Sequence, residues 1–244
     1  EFMNASGDVV RYYATDAKDR QEKIAKKSGM NRMNWNLSLT NFSGVEGVFM
    51  GLGAGGHRAA PGQYAVKLTY GDWEVTKDLE VKADPRWTAT QAQYREQQAL
   101  LNDVRELIES LQSTANDIRS VRSQINDLKA RIDKDEFGSV HEMADQLVKD
   151  ITAFEDELVQ PKQKTFQDVI NFENKLEVQL LHIYETIDGI EPPVTGGQKQ
   201  RVKDLTAEFN QVMGAASDIQ SGLNELMSLI RSENVPFIAP KKKN

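Results

Sequence analysis

The chain contains no cysteine. Disulfides, thiolate zinc sites and cysteine nucleophiles are therefore excluded; the compartment is not, because exported bacterial proteins also avoid cysteine. It has no apolar run near the roughly 20 residues that cross a bilayer as a helix, so no membrane span is expected. No signal peptide is legible. Positive charge is not in excess either: the net charge is −7 and the isoelectric point about 5.2. That balance argues against a nucleic-acid partner and against a basic helix lying on a membrane surface. Histidine is scarce, at 3 in 244 residues. What is present is enough for a core, with 39% hydrophobic and 27% charged residues, in one or two domains.

Composition changes near Pro85. Most glycines lie before it; long Leu-, Ile-, Gln- and Glu-rich stretches lie after it. Glu1-Phe2 reads as a cloning-site scar and is set aside. Asp8–Tyr13, Asn31–Leu37, Gln63–Tyr70 and Trp73–Val81 are short alternating runs bounded by glycine and proline. They predict an antiparallel β-sandwich over 1–84, with Trp35, Tyr64, Val66 and Leu68 in its core. Beyond Pro85 the apolar residues recur at steps of three and four, from Leu101 through Ile108, Leu111 and Ile118 to Ile132. Similar stripes run through Ile151 and Phe154, then through Phe209 and Ile219. Thr90-x-x-Gln93, Ser139-x-x-Glu142 and Thr195-x-x-Gln198 are capping-box starts. Three antiparallel long helices are expected over 85–235, at about 90–133, 140–188 and 196–233, with the middle one kinked at Pro161. Residues 236–244 read as a disordered tail. The fold class expected is thus α+β multidomain: a small antiparallel sandwich, of about the size of an immunoglobulin-like domain, followed by a three-long-helix bundle.

No catalytic, cofactor or metal constellation emerges. Gly51-Leu52-Gly53-Ala54-Gly55-Gly56 has the letters of a dinucleotide fingerprint, but Pro61-Gly62 and a strand follow where a helix is required. His57, His141 and His182 lack helical ligand spacing. The many helix carboxylates are interspersed with Lys and Arg, as on a solvated face. Asp168, beside the Pro161 interruption, reads as satisfying backbone groups freed there. Asn4, Asn36 and Asn41 open glycan-acceptor patterns that a bacterial source would leave idle, and Arg20–Ser28 is a locally basic loop. The only residues singled out as ligand or partner contacts are Trp73, Trp87 and Tyr94, which as an exposed aromatic cluster would favour a glycan- or peptide-binding module.

Gly7-Asp8-Val9-Val10-Arg11, Gly29 through Leu37 and Ala60 through Leu68 together resemble the immunoglobulin-like domain of flagellar hook-cap and many secreted bacterial proteins. Asp84-Pro85-Arg86, Ile118 through Gln124, Gln163 through Phe172 and Lys175-Leu176 continue the pattern. In this order the whole chain resembles the C-terminal region of bacterial sortilin-like proteins with BNR repeats, often labelled glycosyl hydrolases. The resemblance implies an exported parent, with a β-propeller upstream as a partner in the same polypeptide and any hydrolase chemistry belonging to that propeller. The segment itself would be a non-catalytic spacer and interaction surface with no cofactor. The family pattern also implies a strand before Ala5-Ser6-Gly7, expected to be missing here and to leave an open sandwich edge; a homodimer through that edge or through the helices is a further expectation.

Overall fold

The computed structural model describes residues 1–51, 53 and 55–236. Leu52 and Ala54 of the glycine-rich run lie outside the described residues, as does the expected tail from residue 237 onward. Two compact units form: Glu1–Phe42, Gly53–Asp103 and Tyr184–Lys199 make the first, and Ser43–Leu52, Val104–Ile183 and Gln200–Asn244 the second.

The first unit holds a single antiparallel sheet of four strands, β1 (Phe2–Asn4), β2 (Val9–Arg11), β3 (Gly62–Tyr70) and β4 (Trp73–Val81), in the order β2-β1-β3-β4. The long hairpin β3–β4 turns at Gly71-Asp72, with Tyr70 opposite Trp73. Gly71 has φ +59° there, as a two-residue hairpin loop demands. β1 sits inside the sheet, Phe2 pairing with Arg11 on one side and Val66 on the other. Phe2 is buried. Its ring stacks on Trp35 at 4.3 Å and meets Tyr13 edge-on at 6.2 Å. A residue set aside as part of a scar is therefore a core aromatic of this unit.

The immunoglobulin-like sandwich is corrected by this arrangement: among the described residues there is one small sheet and no second one to pack on it. The decisive stretch is Asn31–Leu37, whose alternation predicts a strand and which forms none. Asparagine side chains compete with the ladder at both ends. Asn31 accepts from the Lys27 N–H and donates to the Lys27 and Gly29 carbonyls. Asn36 accepts from the Ser38 N–H, and the Trp35 indole donates to the Ser38 carbonyl at 2.8 Å. Leu37 is forced to φ +64°, which ends any extended run. With no facing sheet, Leu68 is 54% exposed instead of buried.

The three-long-helix bundle is likewise corrected. Five α-helices and a 3₁₀ turn occur among the described residues: α1 (Gln91–Arg131), α2 (Gly138–Leu158), the turn Phe166–Ile170, α3 (Leu176–Asp188), α4 (Gly196–Gly214) and α5 (Ala216–Ser232). Pro161 does more than kink the middle helix. Its missing N–H and its clash with the preceding turn forbid continuation, and Val159 has already swung to an extended conformation. Helix resumes only at Leu176. The third expected helix breaks at Gly214-Ala215, where glycine lowers helical stability. The starts at Thr90 and Thr195 are reciprocal capping boxes. The backbone N–H of each threonine donates to the glutamine three residues on, and that glutamine N–H donates back to the threonine hydroxyl. Ser139 makes no cap; α2 starts without one, and the Ser139 hydroxyl donates to Glu233 instead. Asp168 accepts from the Lys164 and Thr165 N–H groups at 2.7 and 2.8 Å, and these bonds hold its carboxyl below the ordinary range.

In the second unit the apolar stripes meet as their spacing dictates. Ile108, Leu111, Ile118, Ile151, Phe154, Phe209 and Ile219 are all buried. Among the described residues no helix is long and apolar enough to cross a membrane.

Candidate functional site

Helix α2 uses its two faces differently. One face is riveted to α1 by ion pairs. Glu155 is 3% exposed and takes both Arg119 and Arg122, which lie one turn apart on α1. Asp145 takes Lys129 further along, and this pairing holds the Asp145 carboxyl below its ordinary range. Arg119 also donates to the Glu46 carbonyl. Asn116 and Gln112, one and two turns before it, hold the same Gly44–Glu46 segment. Gly44 N–H donates to Gln112 Oε1 at 3.0 Å, Glu46 N–H to Asn116 Oδ1 at 3.1 Å, and Asn116 Nδ2 to the Gly44 carbonyl at 3.0 Å.

Because Gln112 Oε1 is occupied by a donor, its amide nitrogen is free to donate to Glu177 Oε1, at 2.8 Å. Glu177 is 1% exposed. Burial raises its pKa above the usual carboxylate value, while Gln112 and, further off, Arg119 oppose the rise.

The other face of α2 lines a trough with the end of α4 and with α5. Its volume is about 680 Å³. The floor is apolar: Leu147, Phe154 and Ile219 are buried, and Met143 and Val212 are half-buried. Ala153 and Ala215 are small and exposed there, which keeps the trough open. The two helices run antiparallel, since Ser139 in the first turn of α2 bonds Glu233 at the end of α5, and Gly222 lies against Leu147. Gly222 has room for no larger residue without moving that leucine, a Cβ standing 3.2 Å from it.

Four carboxylates rim the trough: Asp150 and Glu157 on α2, Asp218 and Glu225 on α5. Each pair is seven residues apart, two helical turns or about 10 Å. In the antiparallel register Glu225 lies at one end, Asp150 and Asp218 face each other in the middle, and Glu157 lies at the far end. Among the described residues no Lys, Arg or His lines the trough. Among the described residues none of the four carboxylates forms an ion pair; Asp150 accepts only a neutral bond from Gln146 at 2.8 Å.

In the first unit the polar feature of note is His57, fully buried. Gln98 Oε1 accepts from the Ala60 N–H, which turns its amide nitrogen toward His57 Nε2. His57 Nδ1 then donates to the Tyr184 hydroxyl at 2.6 Å, and the His57 backbone N–H reaches the same oxygen at 2.7 Å. Phe42 packs edge-on against Tyr184. The ring is a structural tie. Gly56 just before it serves close approach, since a side chain there would strike the Leu39 and Thr40 carbonyls.

The three aromatic residues expected as contacts differ in exposure. Trp73 and Trp87 are 55% and 57% exposed, and Tyr94 is buried, its hydroxyl donating to Glu191 at 2.8 Å. Among the described residues no ring contact joins any two of them. Among the described residues there is also no group of three or more His, Asp or Glu placed to hold a metal. Glu155 and Glu177 carry a signal in the sequence that composition alone hides. Glu155 follows Ile151 by four residues and Glu177 precedes Leu180 by three, so both sit on apolar stripes where a carboxylate is out of place.

No family model, no curated protein and no solved structure matches this chain.

Proposed function

We propose that this chain is a non-catalytic protein-interaction module, the C-terminal part of an exported parent of the BNR-repeat type whose chemistry, if it is a glycoside hydrolase, lies in the upstream propeller. The observation that carries the interaction role is the trough between α2 and α5. It is apolar at its base and, among the described residues, rimmed by carboxylates without an ion pair and lined by no helix other than α2, α4 and α5. The parentage rests on the ordered motifs alone, from Gly7–Arg11 to Lys175-Leu176. The two buried carboxylates are poorly suited to acid–base work. Glu155 is neutralised by two guanidiniums. Glu177 is hydrogen-bonded to an amide, and among the described residues no second carboxylate acts on it to divide the roles of acid and base.

The test is hydrolysis. The purified chain should release no aryl group from a panel of nitrophenyl glycosides, while the longer polypeptide with its upstream repeats supplies any turnover. Release by the chain alone that Glu177→Gln abolishes would overturn the reading.

A second reading, a glycan- or peptide-binding module, draws on the exposed indoles of Trp73 and Trp87, since exposed aromatic faces stack on sugars and peptides. It predicts saturable quenching of tryptophan fluorescence by an oligosaccharide, lost in Trp73→Ala or Trp87→Ala.

A further inference from the structure

The chemistry of the α2–α5 trough specifies its occupant. We infer that it takes a basic amphipathic helix from a different polypeptide, an assignment that rests on the interaction role proposed above and names the partner class.

An extended, apolar trough between two antiparallel helices is filled best by a third helix, which presents anchors at i, i+3, i+4 and i+7. Leu147, Phe154 and Ile219 offer the apolar base, and Ala153 and Ala215 leave depth for leucine-sized anchors. The rim carboxylates fall at three levels about 10 Å apart, the rise of seven helical residues. A partner helix with Lys or Arg flanking its apolar stripe in successive heptads would meet Glu225, then Asp150 and Asp218, then Glu157. Among the described residues no cation lines the trough and none pairs with these charges. They therefore steer a basic segment and repel an acidic one.

Charge also selects between a foreign helix and a second copy. This chain carries −7 overall, and two copies joined face to face through the trough would set carboxylate rims against each other, with like charges opposed.

The probe is a 14-residue helical peptide of leucine and lysine in amphipathic order, with a leucine–glutamate peptide of the same pattern as control, titrated by fluorescence anisotropy at two salt concentrations. The leucine–lysine peptide should bind saturably at one site and weaken as salt rises; the glutamate peptide should not bind. Asp150→Asn with Asp218→Asn should weaken binding by about tenfold, the effect of removing two facing charges from an interface. Asp117→Asn with Glu136→Gln, the same charge change on exposed residues outside the trough, should alter it less than about twofold. Ala153→Arg, at an exposed position, should abolish binding with an unchanged melting temperature.

Equal weakening by both charge-neutralising doubles would mean unspecific attraction and overturn the assignment. So would absence of binding, or a concentration-dependent dimer in light scattering that Ala153→Arg dissolves. Those failures leave the non-catalytic reading standing, because only turnover by the chain alone removes that.

Discussion

Glu155→Gln probes the attachment on which the trough depends. The trough keeps its shape only if α2 is held against α1, and one carboxylate takes two cations to do so. Glutamine preserves size and one acceptor oxygen but leaves Arg119 and Arg122 without a counter-charge. Removing one member of a buried pair costs about 3–5 kcal/mol. Here the carboxylate side chain is 3% exposed, but the guanidinium side chains are 19% and 26% exposed, so water recovers part of the loss. An expected destabilisation of about 2–3 kcal/mol follows. Urea unfolding followed by helical circular dichroism measures it. A double-mutant cycle with Arg122→Met should return a coupling of about 1–2 kcal/mol, and the destabilisation should persist in 1 M salt, where an exposed pair would be screened. A loss below about 0.5 kcal/mol, the scale of a surface pair, would refute the claim that this cluster anchors α2.

Glu177→Gln should act in the opposite direction. The folded-state pKa of Glu177 is raised by burial, so between the ordinary and the raised value the folded chain holds more protons than the unfolded one. Stability from this group is therefore full below the ordinary carboxylate pKa and is lost as pH rises through the folded value. The variant should match the wild type at acid pH and exceed it at neutral pH; unfolding midpoints at pH 4 and pH 7.5 check this, and a variant weaker at pH 7.5 contradicts the burial argument. Phe2→Ala should cost about 3–5 kcal/mol, the price of an emptied aromatic core position, and an unchanged denaturation midpoint would refute β1 as an inner strand. Thr90→Ala and Thr195→Ala should each cost about 1 kcal/mol through loss of a capping box, whereas Ser139→Ala, at a helix start with no such cap, should lose no capping energy.

Much of this arrangement is legible in the amino-acid sequence alone. The three-and-four rhythm places Ile108, Leu111, Ile151 and Phe154 inside, because a helix repeats every 3.6 residues regardless of what it packs on. The turn at Gly71-Asp72 and the caps at Thr90 and Thr195 are equally local. The same rhythm also runs over breaks: Ile151 to Phe166 reads as one stripe with a kink, and only the chain path reveals that Pro161 ends the helix outright. The trough is harder still to foresee. Asp150 and Glu157 look like any solvated face until α5 is laid antiparallel beside α2 with Asp218 and Glu225 on the same rim.

What the sequence by itself determined is local and periodic: helix faces, two capping boxes, one hairpin, the absence of thiol chemistry and of a membrane-crossing helix. Tertiary structure alone decided that Asn31–Leu37 forms no strand, that Phe2 belongs to the core, and that four scattered carboxylates share one apolar trough. The physical reason is range. Backbone periodicity and caps are settled within a few residues of one another, whereas asparagine bonds that outcompete a ladder, sheet layering and helix-to-helix register depend on which distant surfaces remain to be covered.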